Sequence, residues 1–182
     1  MGKTFESISA ELAEWIAAQH LFFVASAPLS GDGLVNCSPK GMDSFRVLGP
    51  RQVAYLDLTG SGIETVAHVR ENRRIVFLFC AFSRLPRIVR LHGTAEVVTP
   101  SSPEWADLRG RFPAHSGARA ILRAELSRIS DSCGWGVPRY EFVEERDTLQ
   151  RSCEAKGEAG LRRHHLEKNA KSLDGLDGLP QP

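Results

Sequence analysis

The sequence predicts a mainly β fold, a small barrel with peripheral helices, and its apolar patterning carries that prediction. Short apolar segments recur between turns rich in Gly and Pro, the punctuation expected of antiparallel hairpins. Ile75–Phe82 is apolar on both faces, as in a strand buried in a barrel interior or at a subunit interface. From Ile88 to Val98 the residues alternate. Val89, Leu91, Gly93, Ala95 and Val97 share one face, and Arg90, His92, Thr94 and Glu96 share the other, which leaves a polar face open to a ligand.

Taken in order, Thr4 or Ser7 is placed to cap a first helix. Its apolar positions Phe5, Ile8, Leu12, Trp15 and Ile16 follow the helical period, and it ends near His20. Leu21–Ala27 and Leu34–Ser38 read as a hairpin around Ser30-Gly-Asp-Gly33, and Pro39 then breaks the ladder because it donates no hydrogen bond. Phe45–Leu48 and Gln52–Leu58 form a second hairpin around Gly49-Pro50. Ile63–Arg70 is expected to be a short helix. Pro103–Arg111 and Ala118–Leu126 also look helical, and Arg128–Ser132 and Tyr140–Glu144 look like strands around the Cys133–Pro138 corner. The final quarter turns polar: Glu154–Lys168 reads as a solvated helix, followed by a tail from Ser172 rich in Gly, Leu, Asp and Pro. The organisation expected is one core domain over 1–154, with a C-terminal helix and tail over 155–182 packing on it.

Composition narrows the class. A chain of 182 residues suits a single core, and 42% apolar with 25% charged residues is ordinary for a soluble protein. A formal net charge of +1 lacks the cationic excess of a nucleic-acid binder. The apolar runs are far shorter than the roughly 20 residues that span a bilayer. Met1–Glu6 shows no basic region leading into an apolar block, so a cytoplasmic location is expected. The four cysteines are widely spaced without a Cys-x-x-Cys pair, which reads as reduced thiols. His164 and His165 are adjacent and diverge by roughly 100° on a helix, a poor metal pair, and no metal site is expected.

The chemistry concentrates at Thr59-Gly-Ser-Gly-Ile-Glu-Thr65. Here a strand empties into a glycine-rich turn that opens a helix, so hydroxyls and free backbone N–H groups face outward, as a phosphate monoester requires. It is neither a Walker loop nor a dinucleotide fingerprint, and read alone it also fits an ordinary capped turn. Lys40, just before Gly41, suits a phosphate or the electron-rich edge of a bound ring, and equally a solvated surface lysine. Arg87 and Arg90 lie three apart on a strand and point to opposite faces. Arg90, beside His92 and Thr94, suits an anion or a plain ion pair with a neighbouring strand. Trp135 lies between two glycines, where an indole can cover a planar ring or serve structure alone. No Ser/His/Asp or Cys/His spacing nominates a nucleophile, and no catalytic residue is assigned.

Asn36-Cys-Ser-Pro-Lys-Gly41, Tyr55–Gly62, Glu71–Phe77, Arg90-Leu-His-Gly93, Ser132–Pro138 and Asn169–Gly175, in that order and spacing, resemble the pyridoxamine 5′-phosphate oxidase-like family from about Phe22 to Gly178. The resemblance implies a six-stranded antiparallel split β-barrel that forms a homodimer, with FMN at the interface touched by both subunits. It further implies cofactor binding by Ser38, Lys40, Thr59, Ser61, Gly62, Glu64, Thr65 and Arg90, with Trp135 coming from the second copy. The activity implied is flavin-dependent two-electron chemistry on a small molecule. The Leu173–Pro180 stretch departs from the family's substrate-phosphate segment, so formation of pyridoxal phosphate is not expected. A non-catalytic flavin sensor or storage protein stays open as an alternative, as do deazaflavin F420 and haem, the last with His92 or His164 as axial ligand.

Overall fold

The computed structural model describes residues 2–179. Its strands are β1 (Thr4–Phe5), β2 (Phe22–Ser26), β3 (Asn36–Lys40), β4 (Phe45–Gly49), β5 (Gln52–Leu58), β6 (Arg74–Cys80), β7 (Ile88–Val98) and β8 (Ala118–Ser132). Its helices are α1 (Ala10–Ala17), α2 (Glu64–Asn72), α3 (Trp105–Arg109) and α4 (Thr148–Lys168). All ladders are antiparallel, in the order β3-β2-β6-β7-β8-β5-β4, with β1 added beside β8.

The expected six-stranded split barrel is therefore corrected to an eight-stranded open sheet. Among the described residues no ladder joins the two end strands, β3 and β4. The chain passes between them through Gly41–Ser44, where Met42 (φ 59°) and Asp43 (φ 51°) take left-handed backbone that no strand can use. Pro39 stays inside β3, opposite Phe23, and contributes no N–H to this edge strand. Side chains fill the seam instead. Phe45 of β4 packs its ring 5.2 Å from Phe22 of β2 and 4.9 Å from Phe79 of β6, and α1 buries Leu12 and Ile16 into the same cluster.

Several local expectations change as well. Thr4–Phe5 forms β1 against Ile129–Ser130, so α1 starts later and is capped by Ser9, whose hydroxyl accepts from the Leu12 N–H at 3.2 Å. The predicted helix over Ala118–Leu126 is instead the first half of β8, the longest strand. Ala120, Leu122, Ala124 and Leu126 face the main core, while Ile121 joins a second cluster with Leu56, Leu108 and Phe112. Tyr140–Glu144 pairs in no ladder. It runs as an extended strap, held by one hydrogen bond from the Tyr140 N–H to the Phe82 carbonyl and by His20 stacked on Phe142. Helix α3 is shorter than expected, and α4 starts earlier, at Thr148. Of the predicted C-terminal tail, Pro180–Pro182 lies outside the described residues. All four cysteines are free thiols, and no described helix is long and apolar enough to cross a membrane.

Candidate functional site: a cleft at the start of α2

Strand β5 delivers Leu58 and Thr59 to the turn Gly60-Ser61-Gly62, and α2 begins directly after Ile63 with no side chain capping it. The backbone N–H groups of its first turn are thus left to an external acceptor. Beside this turn lies a cleft of about 220 Å³, bounded by Ser38 and Lys40 of β3, Asp57 of β5, Arg119 of β8 and the turn itself.

The turn is fixed from beneath. Thr59 donates both its N–H (2.7 Å) and its hydroxyl (2.9 Å) to the Gly117 carbonyl. With that proton committed, the His165 Nε2 at 2.9 Å from the Thr59 hydroxyl has to be the donor, which fixes the tautomer. Burial lowers the His165 pKa, and the Arg119 guanidinium lowers it further, which favours the neutral ring. His164 Nε2 donates to the Gly60 carbonyl at 3.0 Å, and Asn169 Nδ2 donates to the same oxygen at 3.2 Å.

A buried charge network forms the cleft floor. Asp57 accepts from the Tyr55 hydroxyl and, at 2.6 Å, from Arg119 Nε, while Lys40 Nζ stands 3.9 Å away. Burial alone pushes the Asp57 pKa up, yet Arg119 and Lys40 outweigh it and hold the carboxyl below its usual value. Burial dominates for Lys40: its pKa is lowered despite the attraction of Asp57. Arg119 also donates to Asn169 Oδ1 (2.8 Å) and to the Gly62 carbonyl (2.9 Å).

The walls carry hydroxyls. Thr65 accepts from Asn36 Nδ2 at 2.9 Å, which leaves its own proton free for another acceptor, and Ser38 donates to Asn36 Oδ1 at 3.0 Å. The Glu64 carboxylate folds back over Gly62, where an added Cβ would lie 2.1 Å from Oε2, and Oε1 accepts from the Leu173 N–H at 3.4 Å.

Of the residues nominated from sequence, Ser38, Lys40, Ser61, Gly62, Glu64 and Thr65 meet in this cleft, with Thr59 buried under it. Arg90 and Trp135 do not line it. Arg90 donates to the Ser132 hydroxyl at 3.0 Å on another part of the sheet, and Trp135 is 83% exposed in the turn that follows β8. Arg87, which precedes β7, pairs with Asp131 at 3.0 Å and lies over the Trp15 ring. His92 stands on β7, its pKa lowered by burial and by Arg128 and Arg90. Sequence reading missed Asp57, Arg119, Asn169 and His165. An acid inside the apolar run of β5 was a usable signal for Asp57, since a buried carboxylate demands a partner.

Residues 8–133 match the sequence model of the pyridoxamine 5′-phosphate oxidase family. The chain is 40% identical to the pyridoxamine 5′-phosphate oxidase family protein ustO of Aspergillus flavus, over 96% of this chain and 77% of that one. Among solved structures, HupZ of Group A Streptococcus is similar at a TM-score of 0.54 and 26% identity, covering 69% of this chain and 99% of its own. A Lactobacillus delbrueckii protein named for the same family shares the fold at a TM-score of 0.51 and 19% identity, over 70% of this chain and 98% of that one. The family model matched over residues 8–133 and the 40% identical relative show that this chain belongs to the pyridoxamine 5′-phosphate oxidase family.

Proposed function

We propose that the protein binds FMN, with the cofactor's phosphate in the cleft at the start of α2, and acts as a flavin-dependent oxidoreductase on a small molecule. The observation that carries the reading is the uncapped α2 terminus facing a cleft that also holds Lys40, Ser61 and Thr65. Helix dipole, free N–H groups, hydroxyls and an ammonium together match the charge and acceptor oxygens of a phosphate monoester. Asp57 and Arg119 are already paired with each other, so their opposed charges leave Lys40 to supply the positive potential. Ser38 lies on the β3 wall of the cleft, beyond the turn, where the rest of the cofactor would run. Bound FMN would supply two-electron transfer at its ring, and the protein would orient it and shield it from water.

The reading includes a homodimer. Phe23, Ala25, Val76 and Leu78 lie half-buried on the sheet face opposite the main core, and Val143 of the strap and Trp135 just before it are exposed. A second copy covering this surface would explain both, and would bring its own Trp135 toward the flavin.

The test is the visible spectrum of the purified protein, followed by titration with FMN and with riboflavin. Bands near about 370 and 450 nm, or saturable quenching of FMN fluorescence with weaker riboflavin binding, are the expected result. Absence of saturable FMN binding would remove the reading. Ser61→Ala combined with Thr65→Ala is expected to weaken FMN binding at least several-fold, and unchanged affinity would place the phosphate elsewhere.

A further inference from the structure

The two carbonyl groups that flank Ser61 are both gripped from the protein side. Arg119 Nη2 holds the Gly62 carbonyl at 2.9 Å, and Asn169 Nδ2 holds the Gly60 carbonyl at 3.2 Å beside His164 Nε2, which donates to the same oxygen at 3.0 Å. Arg119 and Asn169 also hold each other at 2.8 Å, and both are buried, at 6% and 0% exposure. They come from distant parts of the chain, β8 and the segment after α4, and meet only here. A trans peptide is planar, with its C=O and N–H pointing in opposite directions. Fixing the Gly60 carbonyl therefore fixes the Ser61 N–H, and fixing the Gly62 carbonyl fixes the Ile63 N–H, each turned away from its clamp.

We infer that Arg119 and Asn169 are positioning residues that set the phosphate specificity of the cleft by aiming the Ser61 and Ile63 N–H groups. The inference rests on the FMN reading above and adds to it a cause for discrimination between FMN and the phosphate-free riboflavin. Asp57 supports the clamp by anchoring Arg119 Nε at 2.6 Å, and the tail supports it through Gly178, whose backbone packs so closely that an added Cβ would lie 2.2 Å from the Asn169 carbonyl. Three of the five guanidinium N–H groups are thus spent on fixed partners, as suits a group that acts through the turn and not on the ligand.

The test compares FMN and riboflavin dissociation constants for wild type, Arg119→Lys and Asn169→Asp. Lysine keeps a positive charge beside Asp57, but its single ammonium nitrogen replaces the planar fork whose three nitrogens reach three separately placed acceptors. Aspartate keeps the acceptor for Arg119 but replaces the donor to Gly60 by a carboxylate oxygen that repels the carbonyl, which His164 Nε2 then has to hold alone. Each substitution is expected to weaken FMN binding about tenfold or more while changing riboflavin affinity less than twofold. Equal losses for both ligands, or an unchanged ratio, would overturn the clamp and leave these residues structural. A wild type that binds FMN without preference over riboflavin would overturn the phosphate reading and this inference with it. If Arg119→Lys fails to fold, Asn169→Asp alone decides the ratio. Amide NMR with inorganic phosphate gives an independent readout: the Ser61 and Ile63 resonances should both shift in wild type, whereas Asn169→Asp should lose the Ser61 shift and keep that of Ile63, and an unchanged Ser61 shift in the variant would overturn the clamp.

Discussion

Asp57 shows how one residue ties stability to the site. Its carboxylate is buried and is balanced by Arg119, with the Lys40 ammonium a further cation 3.9 Å away. Removing one member of such a pair leaves a buried charge unpaired, at a cost of about 3–5 kcal/mol. Asp57→Asn is therefore expected to lower stability by that order at pH 7, read from urea unfolding. The folded pKa lies below the unfolded one, so the contribution is present above the unfolded carboxylate value of about 3.9 and is lost as pH falls through the folded value. The gap between wild type and variant should therefore close as the pH is taken below about 4. A gap constant across that range would show that the pair contributes nothing. At this scale the sequence was partly legible. The glycines and hydroxyls of Thr59–Thr65 announce their site by local spacing, whereas Arg119 and Asn169 reach it only through tertiary folding, 62 residues from Asp57 in the first case and 109 from Gly60 in the second.

Strands flanked by turn chemistry were legible to within a few residues, because period-two alternation and Gly/Pro punctuation are local. Strand β8 was not. Ala118-Arg-Ala-Ile-Leu-Arg-Ala-Glu-Leu126 is rich in helix formers, and its centre is buried on both sides, which erases the alternation that marks a strand. Pairing with β7 on one side and β5 on the other overrides that propensity. Tyr140–Glu144 fails in the opposite way: its aromatic and alternating residues suit a strand, yet no strand edge meets it. The β7–β8 ladder carries one irregularity, between His92 and Gly93, and there the two backbones approach closely. A Cβ on Gly93 would lie 2.2 Å from the Glu125 carbonyl oxygen, which belongs to backbone and cannot swing away. Gly93→Ala is expected to cost about 1–3 kcal/mol, as overpacking does, measured by chemical denaturation. A loss below a few tenths would mean that the ladder shifts freely at this bulge.

At the scale of the whole molecule, the open seam and the exposed sheet face have one common consequence. The sheet stays open between β3 and β4, with aromatic packing filling the seam under α1; on its outer face α3 covers the part around Leu56, Val98 and Ile121, and two registers cross the rest. Phe23, Leu78, Arg90 and Ser130 form one row, and Ala25, Val76, His92 and Arg128 form the next. Each row begins apolar and ends basic or polar. Its apolar half suits a two-fold contact with the same residues of another copy, since an isologous interface meets itself. Its basic half, where Arg90 has no carboxylate partner among the described residues, suits an anionic molecule at the border of that contact. Leu78→Glu places a carboxylate in the middle of the apolar half and is expected to turn a dimer into monomers, read by sedimentation equilibrium. Each copy contributes one such carboxylate, and the two like charges repel across the two-fold axis. Because the cleft at α2 lies within one chain, the monomer should keep a measurable preference for FMN over riboflavin while losing whatever the second copy's Trp135 adds. A wild type that sediments as a monomer, or a variant that stays dimeric with unchanged FMN affinity, would remove this face from the assembly.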